Sequence, residues 1–452
     1  MQQTVAAQRR YFESGATRPL TFRLEMLTRL ELGLARWEEE LLAALKADLN
    51  KDPYEGYMCE LALTLGEVRM ARKHLRAWAR PARRSTPLAH FPSKSTVYRE
   101  PYGVALIMAP WNYPLFLTLA PLVSAIAAGC CAVVKPSAYA PASSRALAGL
   151  LGRLYPPEYI TVIEGGRGEN AALLEQRFDY IFFTGSPAVG RAVMAAAAEH
   201  LTPVTLELGG KSPVIVAADA DVELAAARIV WGKCVNAGQT CVAPDHVWVP
   251  EGMREKLVEA MGRQIRRFYG PDPLAREDLP RIVNRKHFDR LCRLLESGRT
   301  AHGGQTDRER LRIAPTVLVD VTEEDAVMGE EIFGPILPVL TYSDLDALVG
   351  RLQGKPRPLA LYLFTRSRAV ERQVLGRLCF GGGCVNDTVV HLATPRMPFG
   401  GVGNSGMGQC HGKAGFDTFT HEKSILKKGR LDLPVRYPPY GAKRISTLKK
   451  LM

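Results

Sequence analysis

The sequence predicts an α/β protein with two doubly wound α/β domains, and its length and apolar patterning support this fold class. A chain of 452 residues should hold more than one core, because single cores stop growing at about 250 to 300 residues. From Gly103 onward, short apolar runs alternate with helical spacing, which is typical of parallel sheets covered by helices. The alternation resumes after Gly209 and predicts the second domain. The predicted strands are residues 104–108, 132–135, 159–163, 180–183 and 204–206, then 214–216, 246–249, 316–319, 336–340 and 360–364.

Two amphipathic helices are predicted before the first of these strands. Apolar residues recur at spacings of three and four over 24–45 and again over 61–78. Residues 81–101 lose this period and predict a strand or hairpin that leaves the main body, which would suit subunit pairing. Residues 298–312 are polar and are predicted to form a surface loop.

One uncharged stretch, Leu115 to Val134, is long enough to cross a bilayer. Pro121 interrupts it, and Gly129 marks a helix end before a second apolar run. The stretch therefore predicts a core helix followed by a buried strand, with no membrane anchor.

The net charge of +13 results from 59 Lys and Arg against 46 Asp and Glu. It favours contact with anionic cofactors or surfaces. Much of the excess lies in the C-terminal tail, where a solvated segment is a better interpretation than a nucleic-acid or membrane site. Basic residues are not interleaved with aromatic ones, so no nucleic-acid partner is predicted.

The nine cysteines are scattered and lack paired C-x-x-C spacing. This pattern favours a reduced compartment without structural zinc or another metal. The N-terminus has no apolar run of the kind found in signal peptides. We therefore expect a cytoplasmic protein.

Cys241 is the candidate around which the other motifs can be arranged. Residues 221–235 have helical spacing, and Asn236 and Gly238 should end that helix just before the thiol. Gly238 allows close approach to a ligand, and the backbone N–H beside Cys241 could face an oxyanion. A small buried cysteine without chemistry is the alternative interpretation.

A phosphate-binding turn is predicted after the strand at 180–183. Ser186 can cap the following helix and Pro187 suits its first turn, so free N–H groups and the helix dipole would face a phosphate. The turn lacks the G-x-G-x-x-G fingerprint. Its residues are Gly185, Ser186, Pro187, Ala188, Val189 and Gly190.

Three further polar residues follow predicted strands. Lys135 could bind a ribose or phosphate, with a surface lysine as the alternative. Glu207 lies between apolar neighbours, where burial would raise its pKa and suit a general base, unless it merely pairs with Lys211. Asn112 carries an amide that could donate to an oxyanion.

Two more segments complete the pattern, residues 330–335 around Glu331 and Phe333, and the glycine-rich 398–406. Together, and in this order, the motifs make the sequence resemble an aldehyde dehydrogenase over nearly the whole chain. The short N-terminus, Val385-Asn386-Asp387, residues 401–413 and the 436–440 tail are similar to the class 3 branch, which oxidises fatty and aromatic aldehydes.

The resemblance implies a mechanism. Cys241 would attack the aldehyde, and Asn112 with the Cys241 N–H would hold the oxyanion of the thiohemiacetal. After hydride transfer to nicotinamide, Glu207 would activate water to hydrolyse the thioester. The implied NAD or NADP contacts are Trp111, Lys135, Gly185 to Gly190, Leu208, Glu331 and Phe333.

One residue departs from the family pattern. Family members often carry Glu three residues after the lysine, where it binds the adenosine ribose, and this sequence has Ala138 there. Loss of that carboxylate removes repulsion against a 2′-phosphate. We therefore expect NADP to be usable beside NAD.

The resemblance also implies a homodimer without a membrane anchor. The cofactor-binding domain would comprise residues 1–85 and 102–208, and the catalytic domain 209–416. A bridging and oligomerisation element would comprise 86–101 and 417–452.

Rival functions remain at this point. A CoA-acylating dehydrogenase would need no hydrolytic base, and a cofactor-independent thiol hydrolase would pair Cys241 with His411. A non-catalytic protein of the same fold is a third. Family analogy favours medium-chain aliphatic or aromatic aldehydes, and the candidate pocket walls are Tyr57, Tyr113, Trp231 and Phe399.

Overall fold

The computed structural model describes residues 1–431, 436–442, 445, 446 and 449. Within this part, four sheets of six, seven, three and two strands are formed. The basic C-terminal tail, predicted to be solvated, lies partly outside the described residues, as does the end of the predicted oligomerisation element.

The six-stranded sheet contains all five strands predicted before Gly209. Five strands run parallel, because apolar runs buried on both faces suit strands connected by helices. A short strand from late in the chain pairs antiparallel with the edge that carries Glu207. The strand order is Gly406–Met407, Val204–Glu207, Tyr180–Thr184, Val104–Met108, Cys131–Lys135 and Ile160–Val162.

Helices cover this sheet. The helix predicted over 24–45 is two helices, because Trp37 leaves the helical region at φ −104° and ψ 15° and packs its ring under Arg153. The helices are Gln2–Glu13, Leu20–Arg36, Glu38–Leu49, Pro53–Gly56, Ala62–Trp78, Phe116–Ala128, Pro141–Leu154, Arg167–Leu174, Pro187–Ala198 and Gly412–Thr418, with a π-helical turn at Tyr57–Leu61.

The uncharged stretch is a core helix and a strand, as predicted. Phe116–Ala128 contains Pro121 in its interior, so the proline does not interrupt the helix, and Gly129 ends it at φ +96° before the buried strand Cys131–Lys135. Among the described residues, no helix combines the length and apolar character needed to span a membrane.

The seven-stranded sheet contains all five strands predicted after Gly209. Its strands run parallel except the edge strand Arg299–His302. Their order is Arg299–His302, Thr316–Val319, Ile336–Tyr342, His246–Pro250, Pro213–Val216, Ala360–Phe364 and Gly382–Val385. The helices are Val222–Cys234, Arg254–Tyr269, Arg285–Leu294, Ala326–Gly329, Leu345–Gln353 and Arg368–Arg377, with 3₁₀ turns at Val235–Gly238, Glu251–Met253, Pro273–Ala275, Leu295–Ser297 and Val390–Ala393.

The prediction of a surface loop over 298–312 is wrong. Arg299–His302 pairs with Thr316–Val319, and Thr306–Asp307 pairs with Arg312–Ile313. An edge strand needs no apolar run, because one side of its ladder and much of its surface face solvent.

The segment predicted to leave the main body does form a strand. Ser93–Pro101 lies between Ala82–Arg84 and Thr420–Lys428 in a three-stranded antiparallel sheet, with a 3₁₀ turn at Leu88–His90. This sheet is separate from the two larger ones.

Candidate active site

Four predicted site residues lie at one edge of the six-stranded sheet. Lys135 and Glu207 are the last residues of their strands, Ser186 follows the strand Tyr180–Thr184, and Asn112 lies in the turn after Val104–Met108. Because the strands are parallel, their carboxyl ends meet at this edge, where such sheets bind ligands.

The backbone before Cys241 is strained. The helix Val222–Cys234 ends as predicted, and Asn236 and Ala237 then have φ of +53° and +52°. Gly238 is required by the chain itself, since a Cβ there would clash with the Gly334 carbonyl. Such conformations cost about 1 to 3 kcal/mol each and persist where surrounding contacts enforce them.

Buried hydrogen bonds enforce this conformation. The Asn112 amide Nδ2 donates to the Gln239 carbonyl at 3.0 Å, and the Tyr113 hydroxyl lies 2.6 Å from Thr240 Oγ1. The Asn236 N–H donates to Glu55 Oε1 at 2.8 Å. The candidate oxyanion donor Asn112 is therefore fixed against the same loop that carries the thiol, although Asn112 itself does not line the cavity.

Cys241 is a partly buried residue, and the pKa of its thiol is raised to about 12. Burial is the main cause, and the negative charges of Glu331 and Glu207 add to it. Hydrogen bonds from the Cys241 and Val242 N–H groups to the sulfur oppose the rise. The resting thiol is thus protonated near neutral pH and needs a base to become a nucleophile.

The Glu207 side chain is 4% exposed, and neither carboxylate oxygen has a hydrogen-bond partner among the described residues. Burial raises its pKa well above the usual range. The alternative of a pair with Lys211 is wrong, because Lys211 binds Asp245 and the carbonyls of Val327 and Glu330. An unpaired buried carboxylate is costly for folding, and such groups concentrate at functional sites.

Cys241 and Glu207 line the same cavity of about 370 Å³. Its other walls are mostly apolar or aromatic. Three predicted wall residues, Tyr113, Trp231 and Phe399, line it, whereas Tyr57 is exposed on the π-helical turn and does not. A Cβ at Gly400 would lie 3.2 Å from Glu207 Oε1, so glycine leaves room beside the carboxylate.

A fully buried ion pair that sequence reasoning missed supports this site. Lys51 Nζ lies 2.6 Å from Glu60 Oε1 and 4.3 Å from the Tyr113 ring centroid, and it donates to the Asn112 carbonyl at 3.3 Å. Glu60 Oε2 accepts from the Leu115 N–H at 2.8 Å. The pair thus fixes the turn that carries Asn112.

We expect Lys51→Met to lower the free energy of unfolding by about 3 to 5 kcal/mol, because it leaves the Glu60 charge buried and unpaired. Urea denaturation measures this change. The matched control is Arg29→Met, which breaks an exposed pair with Glu25 and should cost under about 1 kcal/mol. Equal losses in the two variants would contradict the prediction.

Glu331 extends the site toward a larger cleft. Burial and the charge of Asp245 raise the pKa of Glu331 to about 8. A hydrogen bond from the Gly210 backbone and the charges of Lys211 and Lys233 act in the opposite direction. A Cβ at Gly209 would clash with the Glu331 carboxylate, so the Glu331 side chain packs directly against the Gly209 backbone. The lysine that shares this cluster, Lys233, is buried, and its pKa falls to about 8.

This cleft also reaches the predicted phosphate turn. Its cavity of about 640 Å³ is lined by Pro187, Gly209, Gly210 and Glu331 among others. Ser186 caps the helix Pro187–Ala198 and Pro187 occupies its first turn, as predicted. The residues from Ser186 to Val189 are largely exposed, so the helix N-terminus is accessible to an anion.

Other predicted cofactor residues lie around this edge. The Trp111 ring meets Phe333 edge to face at 5.5 Å. Leu208 is buried and packs against Gly190. A Cβ on Gly190 would lie only 2.7 Å from the Leu208 side chain. Lys135 is buried rather than on the surface, and Nζ donates to the carbonyls of Pro136 at 2.8 Å and Gly165 at 2.6 Å.

His411 also lines the cavity, but it is not paired with Cys241. Its Nδ1 lies 2.7 Å from Glu67 Oε1, and Glu67 Oε2 accepts from the Gly412 N–H at 2.9 Å. A signal for Glu67 was present, since Glu60, Thr64 and Glu67 recur on the buried stripe of one helical segment.

Cys241 and Glu207 thus share one apolar cavity, at the end of a parallel sheet where α/β proteins of the dinucleotide-binding class hold their ligands. The Aldehyde dehydrogenase family model matches residues 1–425. The chain belongs to the aldehyde dehydrogenase family.

Curated relatives agree with this assignment. The chain is 47% identical over 436 residues to 4,4′-diaponeurosporen-aldehyde dehydrogenase of Staphylococcus aureus, covering 96% of this chain and 95% of that protein. It is 46% identical over 444 residues to aldehyde dehydrogenase family 3 member B1 of Mus musculus, covering 97% and 95%. The resemblance to the class 3 branch is confirmed.

Solved structures confirm the fold class. The substrate-bound state of Staphylococcus aureus AldH aligns with a TM-score of 0.97 at 45% identity, covering 99% of this chain and 98% of that one. Mycobacterium tuberculosis aldehyde dehydrogenase complexed with NAD⁺ aligns with a TM-score of 0.85 at 29% identity, covering 95% and 90%.

Proposed function

We propose that this protein oxidises an aldehyde to the carboxylic acid with NAD or NADP, through a covalent thioester on Cys241 that Glu207-activated water hydrolyses. The observation that carries the proposal is the shared cavity, in which a thiol faces a buried carboxylate without a hydrogen-bond partner among the described residues. Such a carboxylate can accept a proton from water.

Three residues of this chain have distinct roles in the proposed reaction. Cys241 forms the bond to the aldehyde carbon, and its proton passes through water in the cavity to solvent. The Asn112 amide and the Cys241 N–H stabilise the oxyanion, since the Asn112 contacts fix it against the loop. Glu207 then takes a proton from water, the C–S bond breaks, the sulfur takes up that proton to restore the Cys241 thiol, and the acid leaves.

The residues at the sheet edge fit a nicotinamide dinucleotide. The helix N-terminus at Ser186 to Gly190 suits its phosphates, and Lys135 keeps an N–H for a ribose beyond its two carbonyl contacts. Glu331 and Phe333 would hold the nicotinamide ribose and ring, with Trp111 and Leu208 beside them. When bound, the nicotinamide accepts the hydride from the substrate.

The apolar cavity favours an aldehyde with an apolar aliphatic or aromatic body. At about 370 Å³ it lies at the lower end of ordinary ligand pockets. A charged substituent would lose its hydration there without a partner.

The rival functions have less support. Thiolysis by CoA needs no base, so it leaves the unpartnered Glu207 unexplained. A cofactor-independent thiol hydrolase requires the His411 imidazole at the thiol, but among the described residues the hydrogen bond of this ring is to Glu67 and not to Cys241.

We expect wild-type protein to reduce both NAD and NADP in the presence of apolar aldehydes. Ala138 is exposed three residues beyond Lys135 and presents no carboxylate to repel a 2′-phosphate. Absorbance of the reduced cofactor over an aldehyde panel tests the function and the cofactor choice together. The matched variant Ala138→Glu restores a carboxylate and should raise KM for NADP while sparing NAD. Absence of turnover with NADP at saturating aldehyde would contradict this expectation.

Domain division and assembly are parts of the same proposal. The cofactor-binding domain comprises residues 1–85 and 102–208, the catalytic domain 209–416, and the bridging element 86–101 with 417–452. Support for a homodimer comes from Thr420–Lys428, a nine-residue edge strand with exposed Ile425 and Leu426 that a second copy could cover. A monomeric mass in sedimentation would contradict the homodimer.

The proposed cytoplasmic location rests on the scattered cysteines.

A further inference from the structure

The three-stranded sheet has basic side chains on one face. Side chains alternate between the two faces of a strand, and residues directly opposite each other in an antiparallel pair share a face. The register places Arg83 and Ile425 opposite Thr96, and it places Lys427 opposite Lys94. Because Lys94 and Thr96 are two positions apart on the central strand, all five residues lie on the same face.

An open pocket of about 810 Å³ lies on this face. Its lining includes Thr96 and Tyr98 from the central strand, together with Arg80 and Arg83. Guanidinium groups bind phosphate oxygens through paired hydrogen bonds, and the two hydroxyl groups can donate to the same oxygens. The pocket therefore suits a phosphate group.

Four cations on or beside this sheet form what we call the cationic face. They are Arg80, Arg83, Lys94 and Lys427, and all four are exposed. None of them forms an ion pair within the described part of the chain. Residues 68–99 contain nine Lys or Arg and no Asp or Glu. The acid that strand alternation places on this face, Glu100, is bound by Lys423. The cationic face therefore carries a positive charge that the protein does not compensate.

Two large apolar side chains are exposed on the turn at the end of the cationic face. Leu88 is 64% exposed and Phe91 is 63% exposed, on the turn that leads into Ser93–Pro101. Lys94 lies three residues beyond Phe91. Apolar side chains beside unpaired cations are typical of surfaces that enter the headgroup region of an anionic bilayer.

We propose that the cationic face docks on a membrane surface that contains anionic phospholipids. A lipid phosphate occupies the pocket between Arg80 and Arg83, while Leu88 and Phe91 enter the boundary between headgroups and acyl chains. A bilayer accounts for both the charge and the exposed apolar turn, whereas a nucleic acid accounts for the charge alone.

A second copy of the chain is a poor occupant of this face. Two copies that met through it would bring like charges together, which is unfavourable. The proposed homodimer uses instead the hydrogen-bonding edge of Thr420–Lys428, and pairing at that edge leaves the face open. Docking of this kind does not depend on the proposed aldehyde oxidation.

Co-sedimentation of the full chain with lipid vesicles tests the docking. We expect wild-type protein to bind phosphatidylcholine vesicles that contain about 30% phosphatidylglycerol, and to be released by about 0.5 M NaCl, because salt screens exposed charges. Each cation near an anionic surface contributes roughly fivefold to binding, so Arg80→Gln/Arg83→Gln should bind about 20-fold more weakly. The matched control is Arg368→Gln/Arg372→Gln, which removes two exposed cations from the helix Arg368–Arg377 and should bind as wild type does.

The apolar turn is tested separately with Leu88→Ser/Phe91→Ser. Both side chains are exposed, so the melting temperature should not change, while binding to the same vesicles should weaken about tenfold. Leu32→Ser, at an exposed position on the helix Leu20–Arg36, is the control and should have no effect.

Several results would overturn the proposal. They are equal binding to pure phosphatidylcholine vesicles, equal losses in the two arginine variants, and tighter binding of wild type to duplex DNA or RNA than to the anionic vesicles. A change of sedimentation mass in Arg80→Gln/Arg83→Gln would show that a second copy covers the face, and would also overturn it. Oxidation of a water-soluble aldehyde should be unchanged in every variant, which separates a failure of docking from a failure of the proposed function.

Discussion

Cys241→Ala should abolish cofactor reduction, with a fall in rate of about 10⁶-fold, since removal of a nucleophile leaves only binding and oxyanion stabilisation. Cys241 lines the cavity together with Glu207. Among the described residues that line this cavity, no other combines a thiol with nearby backbone N–H donors from its own loop. Absorbance of reduced cofactor with a reactive aldehyde is the measurement.

The control for this variant is Cys292→Ala, on the helix Arg285–Leu294 and outside the cavity lining. It should retain wild-type turnover. Retention of more than a small fraction of activity in Cys241→Ala, with an unchanged melting temperature, would show that another group forms the covalent bond.

Glu207→Gln should keep the first turnover and lose the later ones. The burst of reduced cofactor should equal the enzyme concentration, while the steady rate falls by about 10² to 10⁴-fold for want of a base. Mass spectrometry of the quenched protein should then find an acyl group on Cys241. Loss of the burst together with the steady rate would place Glu207 in thiol activation instead.

The pH dependence has a definite sign. Because burial raises the Glu207 pKa, the carboxylate is populated only as the pH rises, so the wild-type steady rate should fall toward acid. The same shift makes ionised Glu207 destabilising above the unfolded-state pKa. Glu207→Gln should therefore be more stable than wild type at neutral and alkaline pH, and denaturation at two pH values tests this.

The fold was predictable wherever a strand is buried on both faces. Strands 104–108, 316–319 and 360–364 were predicted with the observed bounds, because their apolar runs are continuous. The strand Gly382–Val385 has no continuous apolar run and was not predicted. It must contain glycine, because a Cβ at Gly383 would clash with the Leu361 carbonyl. The polar helix Gln2–Glu13 was not predicted. It is held in place by a hydrogen bond from the Gln8 side-chain amide to the carbonyl of Ala132, a residue distant in the sequence.

The site was predictable where its signal is local. Cys241 after a helix end and Glu207 at a strand end are each visible within a few residues, although their roles stay predictions until tested. The pairs Lys51–Glu60, Lys211–Asp245 and Glu67–His411 depend on contacts that the fold creates. The last two join residues 34 and 344 positions apart, and spacing alone carries no information about such partners.

The strand Gly406–Met407 has a consequence for biosynthesis. It closes the sheet edge beside Glu207, and Ser405 supplies the carbonyl that binds the Leu208 N–H. At about 5 to 20 residues per second, the ribosome needs roughly 10 to 40 s to travel from one segment to the other. Throughout that time the nascent chain presents an open strand edge, so we expect the strand Val204–Glu207 to depend on chaperones during synthesis.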